Sequence, residues 1–242
     1  MMKKIKIFFT IILASTLFTS CVSNKIVLSD YTPMAVLSVR GNQSIPWKEE
    51  RDEDYQDLDG VITSSMNKLF GKSNPEIQTN KDRINYADER FAYLLEENVG
   101  ISVVPKENVI NAENYKSINQ SVFAIADTKI YADDYKKIEE LSNQKTKLLL
   151  RELNAGSSVF ITFTFNKIIV EGSKLKGTMT ASVTMDIDIY DNRGRQKLMD
   201  SLTAESSTLL EISKDKYDKD ALVELFPDLI DLVINQFAVK YL

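Results

Sequence analysis

Strict alternation of apolar and polar positions is the strongest pattern in the chain. Between residues 158 and 206 three segments, SVFITFTFNKIIV, GTMTASVTMDIDIY and KLMDSLTAES, are joined by short turns at Glu171-Gly172-Ser173 and Asp191-Asn192-Arg193-Gly194. In the middle segment Met179, Ala181, Val183, Met185, Ile187 and Ile189 alternate with Thr180, Ser182, Thr184, Asp186, Asp188 and Tyr190. Val159, Ile161, Phe163 and Phe165 repeat the pattern in the first. Period two over this length predicts an antiparallel meander with one apolar and one polar face. Near the end of the chain, Leu222, Leu225, Phe226, Leu229, Ile230, Val233 and Phe237 form a helical stripe wide enough to cover that apolar face. Pro227 within it marks a kink or a fresh helix start.

Upstream the pattern is more mixed. MAVLSV, Met34 to Val39, predicts a buried strand. LDGVITSSMNKLFG places Leu58, Val61, Ile62, Ser65, Met66 and Leu69 on one helical face, with Gly71 as the stop. NPEIQTNKD reads as loop. ADERFAYLLEEN predicts a helix with Phe91, Leu94 and Leu95 inward, leading to a short strand from Ile101 to Val104 that Pro105 ends. Residues 106 to 130 are polar and carry no clear period. YADDYKKIEELSNQKTKLLLRELNAG predicts the longest helix, with Tyr135, Ile138, Leu141, Leu148, Leu149 and Leu153 apolar and Gly156 as its left-handed terminator. The expected fold class is α+β in two layers: a mixed sheet containing the three-strand meander, helices on one face, and one domain over residues 33 to 242.

The first residues have a different character. Lys3, Lys4 and Lys6 precede an apolar run from Ile7 to Phe18, and small residues Thr19 and Ser20 follow. A basic head, an apolar middle and a small-residue exit predict a signal peptide over residues 1 to 20. The run is shorter than the ~20 residues that span a bilayer. Cys21 comes next and is the single cysteine of 242 residues, in a chain without histidine. A disulfide has no second thiol. A cysteine-based zinc site and a Cys nucleophile both lack their usual His partner. Acylation remains. Leu17-Phe18-Thr19-Ser20-Cys21 resembles the lipobox of bacterial lipoproteins, with Phe18 where that pattern usually has Leu. The resemblance implies cleavage before Cys21 and a diacylglycerol on its sulfur, so the chain meets the membrane through an N-terminal lipid. Residues 21 to 32 then form the lipidated cysteine and a short tether, the 11 residues after Cys21 reaching roughly 35–40 Å. Val22 and Ser23 follow with no Asp directly after the lipid site. That resembles lipoproteins sorted to the outer membrane, facing the periplasm or the cell surface.

Composition adds two exclusions. At 43% hydrophobic and 27% charged the chain is ordinary globular material, with a formal net charge of −5. Loss of the three leader lysines leaves −8. An acidic chain of this kind is a poor nucleic-acid binder, and attachment to anionic headgroups by overall charge is disfavoured.

Candidate chemistry is sparse. Asp186, Asp188 and Asp191 could offer oxygens to Mg²⁺ or Ca²⁺, the first two sharing a strand face about 6–7 Å apart. The simpler reading makes them the wet side of an amphipathic strand that ends in an Asp-Asn turn, with no metal bound. YQDLDGVITSSM has Asp57, Asp59 and Gly60 at calcium-loop spacing, but Tyr55 and Met66 stand where the first ligand and the closing bidentate acid belong. Ser64, Ser65 and Ser157 have no His partner and no G-x-S-x-G elbow. The eight glycines form no phosphate loop. No cofactor is expected, and no catalytic residue.

The order of elements points further. The MAVLSV strand, the helix LDGVITSSMNKLF, RFAYLLEENVGISVVPKENVI, LLLRELNAGSSVFITFTF, ASVTMDIDIYDNRGRQ and a terminal helix together resemble a group of envelope lipoprotein domains. The group includes the curli-secretion channel subunit, the outer-membrane activator of penicillin-binding proteins, and the amino-terminal domain of the Tol propeller protein. DIDIYDNRGR is similar to its strand and Asp-x-x-Gly turn, while AGSSVFI departs from its Ala-Asp-aromatic approach to the strand. The resemblance implies a non-enzymatic module that binds an envelope protein or forms a homo-oligomer. Two other readings are set beside it: a pore-forming lipoprotein that inserts its alternating strands, and a carboxylate-dependent hydrolase.

Overall fold

The computed structural model describes residues 26–48, 74–119 and 129–242. Cys21, the leader, the helix expected near residues 58 to 71, the calcium-like loop, Ser64 and Ser65 lie outside these segments. Six strands form one open mixed sheet in the order β2-β1-β3-β4-β5, with β6 alongside the far end of β4. They are β1 (Met34–Asn42), β2 (Lys129–Tyr131), β3 (Ser157–Gly172), β4 (Lys176–Asp191), β5 (Gln196–Glu205) and β6 (Leu210–Ser213). β1 runs parallel to β3, and every other pairing is antiparallel. The long helices are α1 (Asn80–Val99), α2 (Asn143–Glu152) and α3 (Phe226–Lys240).

The expected meander is β3-β4-β5, and its apolar positions from Met179 to Ile189 and from Val159 to Phe165 are all buried. α1 and α3 pack on each other against this face. Phe91, Leu94 and Leu95 of α1 and Phe226, Leu229, Ile230, Val233 and Phe237 of α3 supply the opposing core. Phe165 meets Phe226 edge-on at 5.2 Å, and Phe91 lies 6.2 Å from Phe237. Pro227 sits in the first turn of α3, so it starts a new helix after the short one at Lys219–Val223.

Several expectations need correction. NPEIQTNKD is helical, with a turn at Pro75–Gln78 and α1 beginning at Asn80. The buried face of that first stretch carries Glu76, Asn80 and Arg83 in place of apolar residues, so no hydrophobic period announces it. The strand expected over Ile101–Val104 is a single bridge from Val103 to Met34. Residues 106 to 116 form two short helices, Lys106–Asn111 and Glu113–Lys116. The longest predicted helix shrinks to α2, because Tyr131 pairs with Arg40 in the sheet. Within α2 Leu148 is exposed, and Leu149 and Leu150 point inward. Gly156 does not have the left-handed conformation; Asn154 does, at φ 51°. Gly156 is required for a different reason: a Cβ there would lie 2.5 Å from the Thr32 carbonyl oxygen.

The packed body also reaches further back than residue 33. Leu28 is buried, in a 3-10 turn over Leu28–Tyr31. Its N–H donates to the Tyr241 carbonyl at 3.1 Å, the Ser157 hydroxyl donates to the Tyr31 carbonyl at 2.7 Å, and the Gly156 N–H donates to the Pro33 carbonyl at 2.8 Å. Residues expected in the tether are thus part of the domain.

Candidate binding cleft

A cleft of about 360 Å³ opens between α1, the segment 103–107 and the segment 133–135. Its floor is built by ordinary means. α1 presents Asn85, Asp88 and Glu89 along its outer face, Pro105 turns the chain so that Lys106 points back, and β2 delivers Asp133 to Tyr135. Asp88 is 8% exposed. Lys106 Nζ donates to its Oδ2 at 2.8 Å and the Tyr135 hydroxyl to its Oδ1 at 3.1 Å. Lys106 also lies 4.6 Å from the Tyr135 ring centre.

Burial raises the Asp88 carboxyl above its usual range, against the pull of Lys106 and the Tyr135 hydroxyl. Burial, and then Asp88, push the Tyr135 hydroxyl well above its own. At the rim, hydrogen bonds from Lys81 and Asn85 hold Asp133 below the ordinary carboxylate value. Behind the cleft the Tyr115 hydroxyl donates to the Leu37 carbonyl and accepts from the Lys136 N–H; burial pushes it up to about 12. Five carboxylates and one lysine line the space, so the cleft suits a cationic or hydrogen-bond-donating group. Its two most perturbed groups already hold one another. That arrangement recognises a ligand more readily than it transfers a proton.

A second polar cluster is packed inside the core. Lys167 Nζ donates to Glu76 Oε2 at 3.1 Å and to the Tyr217 hydroxyl at 2.8 Å, and Tyr217 in turn donates to Glu76 Oε1. Glu76 is 5% exposed and Lys167 8%. Lys167 Nζ also lies 5.3 Å from the Trp47 ring centre. Burial and Glu76 together raise the Tyr217 hydroxyl. Beside it Arg83 stacks over Phe165 and Phe226 at 5.1 and 5.4 Å, and burial lowers its guanidinium to about 10. The sequence contains a signal for this cluster. Lys167 has the same strand parity as Phe163 and Phe165, so a cation stands in the buried register of β3.

The sequence-level candidates sit elsewhere. Asp186 accepts from Ser201 at 2.6 Å and Asp188 from Gln196 at 2.8 Å, both across the β4-β5 pair on the sheet face opposite α1 and α3. Asp191 has the other parity and anchors the turn, accepting from the N–H groups of Arg193 and Arg195 and from the Arg195 guanidinium. The structure therefore pairs Asp186 with Asp188 and separates Asp191 from them. Among the described residues no group of three or more Cys, His, Asp or Glu side chains is placed to hold a metal ion.

Burial acts to raise Asp191, but these donors prevail and its carboxyl lies below the ordinary 3.8. A depressed carboxylate stabilises the fold at pH values above 3.8 and ceases to do so as pH falls through its folded value. Asp191→Asn is expected to lose about 1.5 kcal/mol at neutral pH. The difference from the parent closes as melting curves are taken to lower pH; a gap that stays constant would show the charge to be irrelevant.

No family model matches the chain, and no curated protein matches it. Solved structures do. One is the LpoB C-terminal domain from Salmonella enterica, 9% identical, covering 80% of this chain and 92% of that one, with a TM-score of 0.31. Another is the lipoprotein GNA1162 from Neisseria meningitidis, 12% identical, covering 86% of this chain and 99% of that one, with a TM-score of 0.29. Alignments at such scores carry no argument about function.

Proposed function

We propose that the protein is a lipid-anchored, non-enzymatic binding or assembly module of the bacterial cell envelope, attached through Cys21. The observation that carries this reading is the sequence of the amino-terminus set against the start of the fold. A basic head, an apolar run and small residues lead to the only cysteine, and the packed domain begins seven residues later at Leu28. The six residues between them span at most roughly 23–25 Å. An acylated Cys21 therefore holds the domain against the leaflet and not across the periplasm. The outer membrane is the leaflet favoured by Val22 and Ser23.

The two other readings receive less support. Strands that insert into a bilayer must present their apolar faces to lipid; those of β3 and β4 are already covered by α1 and α3. A hydrolase needs a carboxylate free to act on a substrate, whereas Asp88, the most buried acid of the cleft, is engaged by two donors. The partner is an envelope protein or a second copy, met through the cleft with a basic segment.

Fractionation of cells producing the full chain tests the anchor. After a high-salt wash the parent is expected in the membrane pellet with a diacylglycerol-bearing Cys21 in its mass spectrum, and Cys21→Ala in the soluble fraction. Retention of Cys21→Ala in the pellet would overturn the proposal.

A further inference from the structure

Where the chain enters the domain, a second and wider groove of about 770 Å³ is lined by Thr32, Pro33, the end of α2 and the β4-β5 turn. Its charged residues are Lys147, Arg151 and Arg193, and no acid lines it. In a mature chain of net charge −8 such a one-signed lining is unexpected. The two arginines stand apart from the others. Arg40, Arg83, Arg90 and Arg195 each make ion pairs or side-chain hydrogen bonds. Arg151 and Arg193 make neither with any described residue.

Lys147 and Arg151 are also four residues apart on one face of α2, a spacing at which like charges repel and destabilise the helix. The acids nearest in sequence give no relief: Glu152 accepts from the N–H groups of Glu113 and Asn114 and from the Asn114 side chain, and Asp191, two residues before Arg193, pairs with Arg195 and Lys197. An anion in the groove would remove the repulsion and engage both guanidinium forks, which match phosphate geometry in the bidentate manner that lysine cannot.

We infer that this groove binds a phosphate group, and that the phosphate belongs to a lipid headgroup of the leaflet that holds the anchor. The position supports the lipid source. Thr32 and Pro33 follow directly on the Leu28–Tyr31 turn, so the groove lies beside the point at which the tether leaves the domain. The choice of a lipid rests on the anchored reading; the cationic groove does not.

The test uses the full mature chain carrying Cys21→Ala, which has no acyl chain of its own, so the result is independent of acylation. Flotation with phosphatidylcholine vesicles is compared with flotation on vesicles containing phosphatidylglycerol. The chain is expected to float with the anionic vesicles only, against the sign of its net charge, and to be released by salt. Arg151→Gln with Arg193→Gln is expected to weaken the association by about tenfold or more, with a melting temperature no lower than the parent's. Inorganic phosphate, titrated by calorimetry, separates the sources. Tight phosphate binding that abolishes flotation would replace the headgroup by a soluble phosphate. Equal flotation of parent and double variant, or binding of neither vesicles nor phosphate, would overturn the proposal. Release of the acylated parent from membranes in the Cys21 experiment would count against the anchor alone.

Discussion

Replacing Glu76 by Gln is expected to destabilise the protein by about 3–5 kcal/mol. The reason is the buried state of its partner. Lys167 is held in the sheet by Glu76, the Tyr217 hydroxyl and the Trp47 ring; Glu76 and Lys167 are buried, and Tyr217 and Trp47 partly so. A neutral amide at position 76 removes the buried carboxylate that Glu76 sets against the ammonium, in a medium that solvates the charge poorly. The pair itself adds much less than its breakage removes, since both charges had to be desolvated to form it. Glu76→Leu combined with Lys167→Met is therefore expected to recover most of the loss. Urea unfolding followed by circular dichroism measures both. A loss below about 1 kcal/mol in Glu76→Gln would put the pair in the class of exposed bridges and defeat the argument.

Phe165→Ala is expected to lose about 3–5 kcal/mol, from the transfer of a large ring and the cavity it leaves. The ring joins three elements of the fold, β3, α3 and α1. It stacks on Phe163 at 6.4 Å, meets Phe226 of α3 edge-on, and lies beneath the Arg83 guanidinium. Arg83 also donates to the Glu76 carbonyl at 3.0 Å, so this site and the buried ion pair share a neighbour. The double variant Glu76→Gln with Phe165→Ala is accordingly expected to lose less than the sum of the single losses. Strict additivity in unfolding experiments would show that the two sites do not communicate through Arg83.

Legibility from sequence followed the origin of each element's stability. β3 and β4 are long and buried on one face along most of their length, so their alternation declared strand, register and core together. α3 was equally plain for the same reason. The first turns of α1 were hidden because their inward positions are held by hydrogen bonds of Asn80 and Arg83. β2 has three residues and exists through its pairing with Arg40, Gly41 and Asn42, a contact with no local trace. The cleft unites residues from 36 to 135, and the ion pair joins positions 91 apart. Only the parity of Lys167 hinted at the latter. Asp186 and Asp188 attracted notice because they are close in sequence, yet cross-strand partners on β5 account for both.

The stitching of the first turn to the last helix has a mechanical consequence. A pull delivered through the residues before Leu28 does not reach a loose end. It is met by the Leu28 to Tyr241 hydrogen bond and passes to the Tyr31 and Pro33 carbonyls, then to Met34, whose N–H donates to the Ser102 carbonyl at 2.9 Å. Beyond Met34 the load enters β1, which runs parallel to β3 at the centre of the sheet, so several ladder bonds resist in shear at once. The same clamp ties Leu28 to Tyr241, and tension applied ahead of Leu28 is shared between the sheet and the tail of α3. A domain built in this way can be held under load from its first turn without its long hairpin being peeled open.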